Sequence, residues 1–146
     1  MGLHVITGPP CGGKTTLAYQ SAKHGDVVVD YDRLANALTV ADPDNHEHPS
    51  VVRTVALAAR QTAIDVALRY TDTVDVWLIH SEPSEEQLDW YRQLGARIQV
   101  VDPGQDVVLA RCRRERPHTM AEAARRWYRT RSVTNTTKVT QSSRCW

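Results

Sequence analysis

Residues 8–15 read GPPCGGKT, which satisfies the pattern G-x-x-x-x-G-K-[ST]. The segment stands between a short β-rich run, LHVIT at 3–7, and a stretch of helix-forming composition, TTLAYQSAK at 15–23. A strand, a glycine-rich turn and a helix in that order leave few folds open. Gly8, Gly12 and Gly13 allow the backbone to turn its N–H groups inward and approach an oxyanion with no Cβ in the way, and the following helix offers its positive end. Lys14 is then placed to reach the β- and γ-phosphates of a nucleotide, and Thr15 to offer its hydroxyl to Mg²⁺. Pro9 and Thr16 complete the expected contacts with the phosphates. A glycine-rich turn that only caps a helix would have no use for the Lys-Thr pair. The loop therefore predicts binding of ATP, or a close relative, together with Mg²⁺.

The rest of the chain repeats the alternation. Val27–Val29 is a continuous apolar run, as a strand buried on both faces requires, and it ends in Asp30, Tyr31 and Asp32. From Pro49 to Tyr70 the apolar positions Val52, Ala56, Ala59, Ala63, Val66, Ala67 and Tyr70 recur at helical spacing. Val74–Ile79 reads as a third strand. Ser84 with Gln87 forms a capping box that opens a helix to Leu94, Arg97–Val101 is a fourth strand, and Asp106–Arg114 is the next helix. Thr119 with Glu122 forms a second capping box, for a helix through about Arg129, beyond which the residues lack apolar periodicity. Strands alternating with helices predict an α/β fold: a three-layer phosphate-loop (P-loop) NTPase architecture with a parallel sheet of about four to five strands and helices on both faces. At 146 residues this is one domain, 1–131, followed by a C-terminal tail, 132–146.

Composition narrows the setting. No run of about 18 apolar residues and no basic start followed by an apolar stretch is present, so a membrane partner is not expected and a cytoplasmic location is. Cys11, Cys112 and Cys145 stand far apart without paired spacing, which suggests reduced thiols rather than a zinc site or a disulfide framework. The net charge of +1 conceals an asymmetry: residues 1–110 carry 8 Lys or Arg against 15 Asp or Glu, and residues 111–146 carry 10 against 2. The basic end is a candidate surface for a polyanion.

Three segments, the loop GPPCGGKTT, the acidic motif VVVDYDRLA and the arginine-rich LARCRRERP, together resemble the small P-loop kinases grouped around the phage polynucleotide 5′-kinase and zeta-toxin type proteins, across most of residues 1–116. The resemblance implies that an aspartate after the second strand accepts the proton of the attacking hydroxyl, a role matching Asp32, with Arg33 beside it toward the substrate. Asp30 is two residues away; in an extended chain both carboxylates share a side, so it is a candidate for substrate contact and for ordering Mg²⁺ through water. Asp32 read without the resemblance is a helix cap for RLANAL. The resemblance also implies a lid at about 111–118, with Arg111 and Arg114 neutralising charge in transfer and Arg113 and Arg116 holding the nucleotide. A solvated basic helix end explains any one of these arginines equally well. Where such kinases commonly carry an acidic residue at the end of the third strand, this chain has His80 and Ser81, with Glu82 beyond, which turns His80 or Ser81 toward nucleotide or substrate; a buried histidine at a strand end is equally well a structural residue.

A polynucleotide acceptor, through a 5′-hydroxyl or a hydroxyl on a modified base, is the expectation, since Arg125, Arg126, Arg129 and Arg131 interleave with Trp127 and Tyr128 in a pattern that can hold phosphates and stack on bases; the same helix also reads as Trp127 packed into the core with its arginines solvated. Two alternatives stay open. One is a kinase for a small molecule, nucleoside or nucleotide. The other is an ATP-binding or slowly hydrolysing module with a basic partner-binding tail. The polar stretch 40–49 lies where an acceptor would enter, and its His46 and His48 lack the further ligands of a structural metal site.

Overall fold

The computed structural model describes residues 1–115 and 118–142. Its strands are β1 (Gly2–Thr7), β2 (Val27–Val29), β3 (Asp75–Ile79) and β4 (Arg97–Val100). Its helices are α1 (Lys14–Ser21), α2 (Tyr31–Ala37), α3 (Ser50–Ala67), α4 (Glu85–Gln93), α5 (Gln105–Glu115) and α6 (His118–Ser142), with one 3₁₀ turn at Leu68–Tyr70. The four strands form one parallel sheet in the order β2-β3-β1-β4. The α/β class and parallel sheet expected from the alternation are both present, with four strands.

Period-2 side-chain direction divides the core. Leu3 and Val5, Val29, Val76 and Leu78 face one side, where Ile64 and Ala67 of α3, Leu34 of α2 and Tyr91 of α4 pack on them. Ile6, Trp77 and Ile79 face the other, under Leu17 and Ala18 of α1. Helices thus cover both faces. A third cluster joins α5 to α6 through Val108, Cys112, Ala121 and Ala124, with Cys11 of the glycine-rich loop packed against it.

Several sequence expectations shift in detail. The buried stripe of α3 runs through Ala56, Ile64 and Ala67, so Ile64 joins the expected set, whereas Val66 and Tyr70 are exposed. The Ser84 capping box forms as expected, with reciprocal bonds of 2.9 and 3.2 Å to Gln87. The Thr119 box does not, because α6 begins at His118 and places Thr119 inside its first turn. The helix continues to Ser142, past Arg129 where it was expected to end, and runs into the segment read as a C-terminal tail from residue 132. Arg116, Arg144, Cys145 and Trp146, with part of the expected lid, lie outside the described residues. Among the described residues no helix is long and apolar enough to cross a membrane.

Candidate active site

Because the sheet is parallel, the residues following β1, β2 and β3 all emerge at the same carboxyl edge, where α/β folds bind ligands. A cleft of about 990 Å³ opens there, lined by loop residues Pro10 to Thr16, by Asp30 and Asp32, by Arg60 of α3, by His80, Ser81 and Glu82, and by Arg111, Met120 and Arg126 of α5 and α6.

The loop owes its shape to two glycines. Gly8 has φ 149°, and a Cβ there would stand 2.2 Å from the carbonyl oxygen of Val101, so only glycine fits beneath β4. Gly13 has φ 95° and is the N-cap of α1, with no side-chain capping bond, which leaves the first N–H groups of the helix directed at the cleft. Gly8 and Pro9 support the loop from behind: Lys14 Nζ donates to their carbonyl oxygens at 3.0 and 2.6 Å, and the Gly12 N–H donates to Pro9 O at 3.1 Å. Lys14 is buried there. Thr16 lines the cleft, as expected of a phosphate contact.

Asp30 is the pivot between loop and acidic motif. Its Oδ2 accepts from the Thr15 hydroxyl at 3.0 Å, and its Oδ1 accepts the N–H groups of Asp32 and Arg33 at 3.0 and 3.3 Å, capping α2. The extended chain therefore stops at Asp30, and Asp30 rather than Asp32 is the cap. Both carboxylates still reach the cleft, because Asp32 sits in the first turn of α2.

Asp32 is held by two histidines. His46 Nδ1 donates to its Oδ2 at 2.8 Å and His48 Nε2 to its Oδ1 at 2.9 Å. A carboxylate only accepts, so the protons sit on these nitrogens. His48 is 2% exposed at its side chain and meets the edge of the Tyr31 ring. The polar stretch that carries both histidines is tied down by Asn36, whose Nδ2 donates to Pro43 O and Asn45 O, each at 2.9 Å. Each Asp32 oxygen keeps a second lone pair with which to accept a further hydrogen bond.

The far wall is basic. Arg60 Nη2 donates to Ile79 O at 3.3 Å and stands beside His80, whose Nδ1 pairs with the Tyr91 hydroxyl at 2.9 Å. Burial, reinforced by the Arg60 guanidinium, pushes the His80 imidazole down to about 4, so the ring is neutral at pH 7 and its bond with the Tyr91 hydroxyl joins two uncharged groups. Burial likewise raises Tyr91 above its ordinary value. Arg111 lies over the loop, its Nη1 3.9 Å from where a Gly13 Cβ would be.

The other expected arginines part company with the site. Arg113 and Arg114 are exposed and do not line the cleft. On α5 the buried face is set by Val108 and Cys112, and two residues further on, about 200° round the helix, Arg114 turns to solvent. Arg33 is drawn away to stack its guanidinium 3.7 Å over the Tyr19 ring. Trp127, expected to stack on bases, is instead 5% exposed and donates from Nε1 to Ser81 O at 3.2 Å. Tyr128 donates to Asp102, and Arg131 covers the Trp127 ring at 4.5 Å. The aromatics of α6 belong to its packing, and Arg125, Arg126 and Arg129 are exposed on the same helix.

Sequence reasoning passed over Arg60 and Arg126 as cleft residues, the grip of His46 and His48 on Asp32, and the approach of Cys11 to Cys112. Arg60 sits at the boundary of an amphipathic pattern and carries no local signal. The histidines had one, a pair of imidazoles in a polar segment following an acidic motif. No protein-family model matches the chain, and no curated protein does.

Proposed function

We propose that the protein is an ATP- and Mg²⁺-dependent phosphotransferase with the three-layer P-loop kinase fold, moving the γ-phosphate of ATP to a hydroxyl of a polynucleotide. The observation that carries this reading is the meeting, in one cleft, of a phosphate loop with its lysine, a Thr15–Asp30 pair, a second carboxylate held in place, and an arginine over the loop. A binding module would need the loop and the Thr15–Asp30 pair but has no use for a second carboxylate held in the cleft by two histidines.

Thr15 Oγ1 and the Asp30 carboxylate are hard oxygen donors that suit Mg²⁺, held mainly by phosphates and water, and the ion would neutralise charge on the β- and γ-phosphates. Lys14 exchanges its loop carbonyls for phosphate oxygens. Asp32 accepts the proton of the attacking hydroxyl, and His46 and His48 keep its carboxylate aimed. Arg111 and Arg60 bring fixed positive charge to opposite sides of the transferred group. Arg126, on the cleft wall, pairs with Glu82 at 3.4 Å, and Arg125 and Arg129 are exposed on the same helix; this basic face supports a polynucleotide backbone as the acceptor's handle.

The test is transfer of label from γ-labelled ATP with Mg²⁺ to DNA and RNA oligonucleotides bearing 5′-hydroxyl ends, beside nucleosides and nucleotides. Label is expected in oligonucleotides, diminishing with salt, and absent with Lys14→Ala. Label confined to small acceptors would refute the polynucleotide assignment; free phosphate with no labelled acceptor would refute transfer altogether.

A further inference from the structure

Cys11 is the fourth residue of the phosphate loop and Cys112 belongs to α5, yet their Sγ atoms are 2.6 Å apart. That is only about half an ångström beyond the roughly 2.05 Å of a bonded sulfur pair. Both are present as thiols. The phosphate-loop pattern asks nothing of its fourth position, and none of the roles assigned to the cleft uses either sulfur. Cys11 is nonetheless held at φ 60°, a conformation that residues other than glycine keep only where the surroundings impose it. Those surroundings are the α5–α6 cluster, in which Cys112 also packs, its Sγ 3.8 Å from Met120 O.

We propose that Cys11 and Cys112 form a reversible oxidation site whose disulfide ties the phosphate loop to α5. The two thiols differ in access. Cys112 is 1% exposed, whereas Cys11 is partly exposed and lines the cleft, so a small disulfide such as glutathione disulfide meets Cys11 first. The Cys11 thiolate attacks one sulfur of that disulfide, giving a mixed disulfide and releasing one thiol. The Cys112 thiolate then attacks Cys11 Sγ, closing the protein disulfide and releasing the second thiol. Two electrons and two protons pass from the protein to the small disulfide, which leaves as two thiols, and a dithiol reductant reverses the exchange.

The consequence rests on the reading of the cleft as a nucleotide site. The bond removes the freedom of α5 against the loop, so Arg111, one residue before Cys112, can no longer move aside from Gly13 to admit a nucleotide and close over its phosphates again. Nucleotide binding in the oxidised protein is expected to weaken by at least about tenfold, which corresponds to 1.4 kcal/mol.

The test uses the full chain with Cys145→Ser, so that the third thiol cannot compete, treated with glutathione disulfide and digested for mass spectrometry. A linked Cys11–Cys112 peptide, lost on adding dithiol, is expected; with Cys112→Ser the reaction should stop at a glutathione adduct on Cys11. An adduct on Cys11 in the protein that retains Cys112, with no linked peptide, overturns the proposal, as does no reaction at all. Binding of a fluorescent ATP analogue is then compared before and after oxidation. Equal affinity overturns the regulatory consequence. A linked peptide in a protein that binds no nucleotide even when reduced establishes the oxidation site and brings down the nucleotide reading instead.

Discussion

His80 offers a prediction that depends only on the fold. The folded chain holds its imidazole near 4 through burial and the Arg60 charge, against 6.5 for the group in open water. A depressed histidine means that the unfolded chain binds the proton more readily. Stability is therefore complete above about 6.5 and falls as pH drops toward 4, where the folded form at last takes up its proton. Going from about pH 8 to about pH 5, linkage removes at most about 2 kcal/mol, and the solvent-facing edge of the ring trims this to about 1.5 kcal/mol. The perturbation is His80→Asn, whose side-chain oxygen can still accept from the Tyr91 hydroxyl but does not titrate. Urea unfolding of both proteins at both pH values yields a double difference in which every other acid group cancels. Wild type should lose about 1.5 kcal/mol more than His80→Asn on acidification. Equal losses would mean that the ring is protonated in the fold, and the account of Arg60 and burial at the end of β3 would be wrong.

The two aspartates are separable. Asp32→Asn should lower transfer by about 10² to 10⁴ while ATP affinity is unchanged, because positioning remains and only the proton acceptor is lost. Asp30→Asn should instead raise the Mg²⁺ requirement, since Asp30 holds Thr15. An active Asp32→Asn beside a dead Asp30→Asn, assayed by label transfer, reverses the assignment of the base. Gly8→Ala drives a Cβ against the Val101 carbonyl and its 2.8 Å bond from Val101 N–H to Thr7 O. It should cost about 2–4 kcal/mol by urea unfolding, and a loss under about 1 kcal/mol would show that the loop is not pinned beneath β4.

The features that the sequence alone determined are those whose cause lies within a few residues along the chain. The shape of the glycine-rich loop was legible because Gly8, Gly13, Lys14 and Thr15 act through backbone conformations and reaches of one turn. The strands Val27–Val29 and Asp75–Ile79 were legible from their apolar, β-branched runs, although β2 lies at the sheet edge with only Val29 buried, and Ser84 with Gln87 was legible because a capping box closes over three residues. What the tertiary structure decided was which side chains share the cleft. Arg111 reaches it and Arg114 does not, because the phase of α5 is set by its packing on α6. Arg60 and His80 meet because α3 packs beside the β2 and β3 strands, and His46 and His48 reach Asp32 because Asn36 folds their segment back on α2. Cys11 and Cys112, 101 positions apart, come together through the packing of α5 on α6, and Trp127 is held by its bond to Ser81 O beyond β3. Such juxtapositions depend on helix phase and on strand order across β2-β3-β1-β4, and these are settled by burial of the whole core rather than by any local run of residues.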